Sequence, residues 1–167
     1  MGYNNRRSMK KIILAVMLLV STSIIAQTTF KGVKVCQSFV DAVKEMNKVA
    51  TFDGIVDYGG YTATFKTTFC GRTADVSIER EDDGVSTHSI SACFLWLDKE
   101  QSNLVLKELL SAYTQKYGKY KKEIVEEGEG MLYTWNTNDA EIDISTYGGV
   151  CVSYYPKKKQ LVNPNEI

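Results

Sequence analysis

One histidine, His88, is the residue best suited to acid–base chemistry in this sequence. It lies in the segment VSTHSISACFLW, near the expected end of a hairpin. A Cys-His nucleophilic pair would need a cysteine beside this ring and a third group to orient it. Cys70 is the best placed cysteine because it precedes Gly71 at an expected strand end. We expect a structural or exposed role for His88, and the alternative is a small periplasmic hydrolase that uses it.

Four cysteines are present, separated by 34, 23 and 58 residues: Cys36, Cys70, Cys93 and Cys151. No C-x-x-C occurs, which argues against zinc-ribbon and thioredoxin-like sites. The cysteines could form two disulfides in any of three connectivities, or remain buried thiols. Cys93 and Cys151 share one strand parity and could be bridged if their strands are neighbours. We expect no metal and no cofactor.

Two acidic clusters, from Glu79 to Asp83 and from Glu126 to Glu129, lie between expected strands. Neither has the alternating oxygen ligands of a calcium loop, so both are typical of solvated turns. A glycosidase would need two carboxylates facing each other across a cleft, and the sequence indicates no cleft. G-x-S-x-G, a phosphate-binding glycine loop and H-E-x-x-H are missing. The sequence therefore predicts a protein that is not an enzyme.

Residues 1–26 have the three parts of a secretory signal peptide: a basic start at Lys10 and Lys11, an apolar run and a small-residue end at Ala26. The apolar run is too short to span a membrane, so no integral membrane segment is expected after cleavage. Cleavage would remove four bases and no acids, which changes 20 bases and 20 acids to 16 and 20. The resulting negative charge disfavours nucleic acid as a partner. We expect a periplasmic or secreted protein.

The remaining chain predicts a single α+β domain over residues 27–156, followed by a C-terminal tail at 157–167. Apolar and polar residues alternate in YTATFKTTF, ADVSIER and AEIDIST, which is typical of antiparallel strands with one solvated face. Helical spacing of apolar residues predicts one helix from about Ser38 and a second from about Asp98. Both helices are expected on the same face of the antiparallel sheet.

The two halves of this domain align with each other at an offset of 66 residues. FCGRTADVSI at 69–78 matches WNTNDAEIDI at 135–144, and the helical Val43 matches Leu109. This register predicts two tandem α-β-β-β units, at about 38–96 and 98–155. Chance alignment of two amphipathic helices and their strands is the alternative explanation.

A Lys-Tyr-Gly at Lys116 to Gly118 closes the second helix before a strand that contains Trp135. With this feature, the tandem helix-plus-strands order resembles small uncharacterised exported proteins of Gram-negative anaerobes. In architecture it is also similar to the β-lactamase inhibitor protein and, per unit, to the small lipoprotein of the outer-membrane barrel-assembly machine. The resemblance lies in element order alone, so it implies no site residue. The missing cysteine after Ala26 argues against the lipoprotein role.

Small hydroxyl side chains dominate the sheet face opposite the helices, with a few apolar or aromatic residues among them. Such a surface is either plainly solvated or a docking face, since protein interfaces combine adaptable polar contacts with larger anchors. We select six residues as the candidate binding set: Tyr155, Leu95, Leu132, Ser153, Thr64 and Lys66. The predicted function is an exported protein-binding or inhibitor-like module for an unknown protein partner in the envelope or outside the cell. A small-ligand carrier with an apolar cavity is a further alternative.

Overall fold

The computed structural model describes residues 27–56, 61–125 and 130–157. The predicted signal peptide, the acidic run at 126–129 and the C-terminal tail beyond residue 157 lie outside the described residues. None of the helices within the described ranges is both long and apolar enough to cross a membrane.

Two helices and ten strands make up the described chain. The helices are α1 (Phe39–Met46) and α2 (Lys99–Tyr117). The strands are β1 (Thr29–Phe30), β2 (Val33–Lys34), β3 (Thr51–Val56), β4 (Thr62–Phe69), β5 (Arg72–Arg80), β6 (Thr87–Phe94), β7 (Lys121–Ile124), β8 (Met131–Asn136), β9 (Ala140–Ser145) and β10 (Val150–Pro156). The predicted α+β class, with two helices and a large antiparallel sheet, is confirmed.

The sheet has eight strands in the order β3-β4-β5-β6-β10-β9-β8-β7. All neighbours are antiparallel, and β6 and β10 form the central pair. Each helix is followed along the chain by four strands of this sheet, where the sequence predicts three. The additional strands are the two edges, β3 and β7.

The edge strands lack the alternation by which the inner strands are recognised. In β3 the register shifts between Phe52 and Gly54, which breaks the period of two, and Ile55 is 62% exposed. In β7 all four residues, KKEI, are exposed. The side chains described for 51–55 and 121–124 bury neither sheet face, and strands of this kind lack the hydrophobic pattern that reveals a strand in the sequence.

One face of the sheet holds the core, and both helices pack on it. A buried row crosses five strands through Phe65, Val76, Ala92, Val152 and Ile144. The helices bury the residues that face this row: Ala42 and Met46 from α1, and Val105, Leu109 and Tyr113 from α2. Full burial of each large aliphatic side chain stabilises the fold by about 1.5–3 kcal/mol.

Both helices begin at side-chain caps, at the two positions where the sequence predicts the helix starts. Ser38 Oγ accepts a hydrogen bond from the backbone N–H of Asp41 at 3.2 Å. Asp98 Oδ1 accepts one from the N–H of Gln101 at 2.8 Å. Each cap satisfies a backbone donor of the first turn. At the other end, Gly118 follows α2 with a φ of 85°, a conformation that favours glycine.

The N-terminal hairpin, β1 and β2, is fixed to the far half of the sheet by Asp139. The backbone N–H of Thr28 donates to Asp139 Oδ2 at 2.8 Å, and Thr28 Oγ1 donates to Asp139 Oδ1. Thr137 Oγ1 also donates to Asp139 Oδ1, at 3.0 Å. These bonds hold Phe30 and Val33 in the core, where each is 1% exposed.

Candidate functional site

The open face is the side of the sheet opposite α1 and α2, and none of the described helices lies on it. Directly paired residues of its middle strands form two rows. The first row is Lys66, Asp75, Cys93, Cys151, Ser145 and Leu132. The second row is Thr64, Ser77, Ser91, Ser153, Asp143 and Thr134. Nearly all of these side chains are partly accessible to solvent, so the face can be contacted from outside.

The central strip is the part of the open face on β6 and β10: Ser89, Ser91, Cys93, Cys151, Ser153 and Tyr155. Cys93 and Cys151 pair directly across the two strands and form a disulfide. The bridge between these two cysteines that the sequence suggests is therefore present. Beside it, Ser91 Oγ donates to Ser153 Oγ at 2.9 Å. The strip is narrow, polar and covalently fixed.

The other two cysteines take no part in this strip. Cys70 is an exposed free thiol in the turn between β4 and β5, with a φ of 49°. Burial, and then the nearby Glu108 carboxylate, raise the pKa of this thiol, while Arg72 acts in the opposite sense. The thiol of Cys36 donates to the carbonyl oxygen of Asp139 at 2.9 Å.

Four carboxylates border the central strip, and we refer to them as the flanking acids. They are Asp75 and Glu79 on β5, and Glu141 and Asp143 on β9. Lys66 and Lys121 also belong to the open face, but Lys66 Nζ is 3.1 Å from Asp53 and Lys121 Nζ is 2.6 Å from Glu123. Within the described ranges no Lys or Arg forms an ion pair with a flanking acid. The uncompensated charge of the open face is therefore negative.

Asp143 is the most constrained of the flanking acids. Its Oδ1 atom is buried and has no hydrogen-bond partner among the described residues. Burial raises the pKa of this carboxyl, and the negative charges of Glu141 and Glu123 act in the same direction. A hydrogen bond with Thr134 opposes this rise. The ionised form of Asp143 is thus poorly stabilised in the protein alone.

His88 lies at one end of the central strip, where its ring contacts that of Tyr155 edge to face with centroids 6.2 Å apart. Its Nδ1 atom is 3.2 Å from Glu81 Oε1. Strict alternation from Ile90 would place His88 on the helix side of the sheet, but the register of β5 and β6 changes beside it. Glu79 pairs with Ser89 and Arg80 with Thr87, so His88 is the extra residue of a β-bulge and its side chain is 49% exposed.

The structure does not bring His88 together with the cysteine proposed to act with it. Cys70 precedes β5 and His88 lies beside the end of β5, so the two are separated by the length of that strand, about 25 Å. Cys93 and Cys151 are joined in the disulfide. The nearest described polar partner of the ring is Glu81.

The six predicted binding residues are all located near the open face, but their settings differ. Thr64, Ser153 and Leu132 lie in its paired rows, and Tyr155 pairs with Glu141 beside them. Thr64 Oγ1 donates to the carbonyl of Gly54 at 3.1 Å, and Lys66 is held by Asp53. Leu95, 40% exposed, lies just beyond β6.

An exposed tryptophan beside a groove is a feature that the sequence reasoning missed. The parity of β6 places Trp96 with the core residues Ile90 and Phe94, yet β6 ends at Phe94 and Trp96 is 98% exposed with a φ of 63°. The cap at Asp98 was the available signal, because a helix start there leaves residues 95–97 as a connection. Next to Trp96 is a groove of about 540 Å³, lined in part by Leu97, Leu106, Met131 and Tyr133.

A second depression, of about 520 Å³, lies at the end of β3 to β5 and is lined mainly by threonines and lysines. Lys31 Nζ is already engaged there, donating to Thr67 Oγ1 at 2.6 Å and to the carbonyl of Thr68 at 2.8 Å. Across the described residues, no group of three His, Cys, Asp or Glu side chains is arranged to hold a metal ion.

Comparison with known proteins gave no family model that matches the chain, no similar protein among curated proteins and no similar solved structure.

Proposed function

We propose that this protein is an exported, non-enzymatic binding module that recognises another envelope or extracellular protein through the open face, in the manner of an inhibitor. The observation that supports this proposal best is the eight-stranded sheet with both helices on one side. A protein that only needed a core could bury both sheet faces or use fewer strands.

The size of the open face suits a protein partner. Eight strands span seven spacings, about 34 Å, and the inner strands are about 20 Å long. The product is roughly 700 Å², close to the ~800 Å² that each partner buries in a standard protein interface. A small molecule would occupy only a fraction of this area.

The chemistry of the face also suits protein recognition. Hydroxyl groups such as those of Ser91 and Ser153 are adaptable hydrogen-bonding partners, while Tyr155, Leu95 and Leu132 are the larger side chains that anchor interfaces. The disulfide at Cys93 and Cys151 fixes the two central strands together. A face that is rigid before binding loses less conformational entropy on association.

We also propose that the domain is a duplicated helix-plus-strands unit. Val76 and Ile142, which match at the offset of 66, are both buried, and both lie on the strand next to the central pair. The two halves contact each other through β6 and β10. In this arrangement the open face is built equally from both copies, which places the candidate site at their junction.

The proposed function is tested by affinity capture from envelope and culture fractions. The wild-type protein is compared with a Tyr155→Ala/Leu95→Ala double variant and with Val40→Ala, a control that removes exposed apolar surface from α1, where Val40 is 59% exposed. We expect one specific protein to be retained by the wild type and Val40→Ala and lost by the double variant. Equal retention by all three folded proteins would contradict the proposal.

The groove beside Trp96 favours a small-ligand carrier as the second candidate. Its lining combines apolar side chains of α2 and β8, such as Leu106 and Met131, with polar ones such as Ser102. An apolar probe such as 8-anilinonaphthalene-1-sulfonate would then bind the native protein, and Leu106→Glu would abolish that binding without changing capture of a protein partner. Absence of probe binding by the native protein would remove this candidate.

A further inference from the structure

If the open face binds a protein, as proposed above, its charge and shape indicate the chemistry of the partner. We propose that the open face docks an extended, cationic segment of the partner protein along the central strip, with Arg or Lys side chains bound by the flanking acids on both sides.

The distribution of charge is the first observation that supports this segment. The two lysines of the open face are each paired with a carboxylate that lies outside the flanking acids, Asp53 for Lys66 and Glu123 for Lys121. Asp75, Glu79, Glu141 and Asp143 form no ion pair with a Lys or Arg in the described part of the chain. Lys66 does lie directly opposite Asp75, and Glu79 accepts a hydrogen bond from Ser89 Oγ at 3.1 Å, but four flanking acids outnumber two lysines. A complementary partner surface must therefore be positive.

The spacing of the flanking acids is the second observation. Asp75 and Glu79 lie on β5 and Glu141 and Asp143 on β9, with β6 and β10 between them. Three strand spacings place the two flanks about 14 Å apart. A chain lying over the middle of the strip would have each flank about 7 Å from its backbone, which suits the long side chains of Lys and Arg. A segment with acidic or short neutral side chains would leave the flanking acids without a partner.

The central strip provides the space for that backbone. Between the two flanks, Ser91, Ser153 and the disulfide are partly accessible and shorter than the Asp and Glu side chains beside them. At the end of the strip, Ser89 is buried and donates to Glu79 Oε2 at 3.1 Å. On β6 the strip runs from Ser89 to Cys93, four residue steps or about 13 Å, which corresponds to a segment of about five extended residues. Tyr155 and His88 end the strip with two aromatic rings, against which a cation or an apolar side chain can pack.

The environment of Asp143 is the third observation that supports a cationic segment. Its buried Oδ1 has no hydrogen-bond partner among the described residues, and it lies directly opposite Ser153 of the strip. A guanidinium group has several N–H donors and binds a carboxylate with two parallel hydrogen bonds. Because Oδ1 is buried, a guanidinium group would reach only the accessible part of this half-buried carboxylate, where its positive charge would offset the negative charges of Glu141 and Glu123. Arginine is therefore the favoured residue at this flank.

The test uses a fluorescein-labelled eight-residue peptide of alternating Arg and Thr, with the matching Glu and Thr peptide as the charge control. Anisotropy titrations compare the wild type with Glu141→Gln/Asp143→Asn and with Glu100→Gln, an exposed acid in the first turn of α2. We expect the arginine peptide to bind the wild type and Glu100→Gln equally. We expect the double variant to bind it at least about tenfold more weakly, with the glutamate peptide unbound.

Binding of the arginine peptide should also weaken as salt rises from 50 to 500 mM, because charges at the surface are screened. Failure of the arginine peptide to bind, or equal binding by the folded double variant, would overturn the inference. Affinity capture of the natural partner distinguishes a failure of the cationic-segment inference from a failure of the proposed function. A partner lost by Tyr155→Ala/Leu95→Ala but fully retained by Glu141→Gln/Asp143→Asn supports docking on the open face and rejects a cationic segment.

Discussion

Cys93 and Cys151 lie directly opposite each other on β6 and β10, with Cα atoms 4.1 Å apart, and their disulfide joins the two halves of the sheet at its centre. The first half of the sheet ends at β6 and the second at β10, so the disulfide bridges the contact between the halves. The covalent link lies on the same face as the candidate binding residues.

The first prediction concerns this bridge. The disulfide closes a loop of 58 residues, and a loop of that length reduces the entropy of the unfolded chain enough to stabilise the fold by about 2–4 kcal/mol. Cys93→Ser/Cys151→Ser should lower the free energy of unfolding by this amount in urea titrations. Cys70→Ser, which removes an exposed thiol, should have little effect. Equal midpoints for wild type and the double variant would contradict the prediction.

The second prediction concerns Asp139 and the N-terminal hairpin. Replacing Asp139 by Ala removes the acceptor for Thr28 and leaves backbone and hydroxyl donors unpaired, at a cost of about 1–3 kcal/mol. Denaturant unfolding at pH 7 measures the loss. Asp82→Ala, an exposed acid in the β5–β6 turn, is the control and should change stability by less than about 0.5 kcal/mol.

Asp139 should also make the fold sensitive to acid. Burial opposes its ionisation but is outweighed by the hydrogen bonds from Thr28 and Thr137, which hold the pKa of the carboxyl below its usual value. The folded state therefore binds the proton less readily than the unfolded state. The stabilisation is present above the unfolded pKa of about 3.9 and is lost as pH falls through the folded pKa. The difference between wild type and Asp139→Ala should shrink below about pH 4; a constant difference would refute this.

The third prediction has the opposite sign and concerns Asp143. Burial, with the charges of Glu141 and Glu123, raises the pKa of this carboxyl, so the folded state binds its proton more readily than the unfolded state. The resulting stabilisation is complete below the unfolded pKa and is lost as pH rises through the folded pKa. At neutral pH, Asp143→Asn should therefore raise stability, by up to about 1 kcal/mol after solvent screening. A clear loss of stability at pH 7 would show that Asp143 has a stabilising partner.

The fourth prediction concerns the hydrolase alternative. His88 is half exposed at a β-bulge beside Glu81, with Cys70 at the opposite end of β5 and the two strip cysteines oxidised. Nothing in that arrangement activates a nucleophile, so wild type and His88→Ala should give equal background rates with ester, glycoside and peptide substrates. Hydrolysis by the wild type that His88→Ala loses would establish the enzyme instead.

The inner part of the fold could be read from the sequence because its strands bury one face. Alternation around Val76 and Ile142 predicts two strands correctly, and the parity of Cys93 and Cys151 predicts their shared face. Parity alone does not determine which strands are neighbours, and it is the pairing of β6 with β10 that brings the two cysteines together. The caps at Ser38 and Asp98 predict the helix starts for a local reason, a side chain binding its own first turn.

What the sequence does not predict depends on exceptions to that alternation or on distant contacts. A bulge moves His88 to the open face, and a positive φ exposes Trp96. The hydrogen bonds between Thr28 and Asp139 join residues 111 positions apart, a distance that no local pattern reveals. The flanking acids were likewise missed as a group, because β5 and β9 become flanks of one strip only when β6 and β10 pair.

The most direct test of the open face as a docking surface is site-specific photo-crosslinking in intact cells. A benzoyl-phenylalanine residue is introduced at Ser153, in the central strip, or at Val40, on the opposite side of the sheet. We predict one discrete crosslinked protein from position 153 and none from position 40. A crosslink from position 40 with none from position 153 would contradict the account.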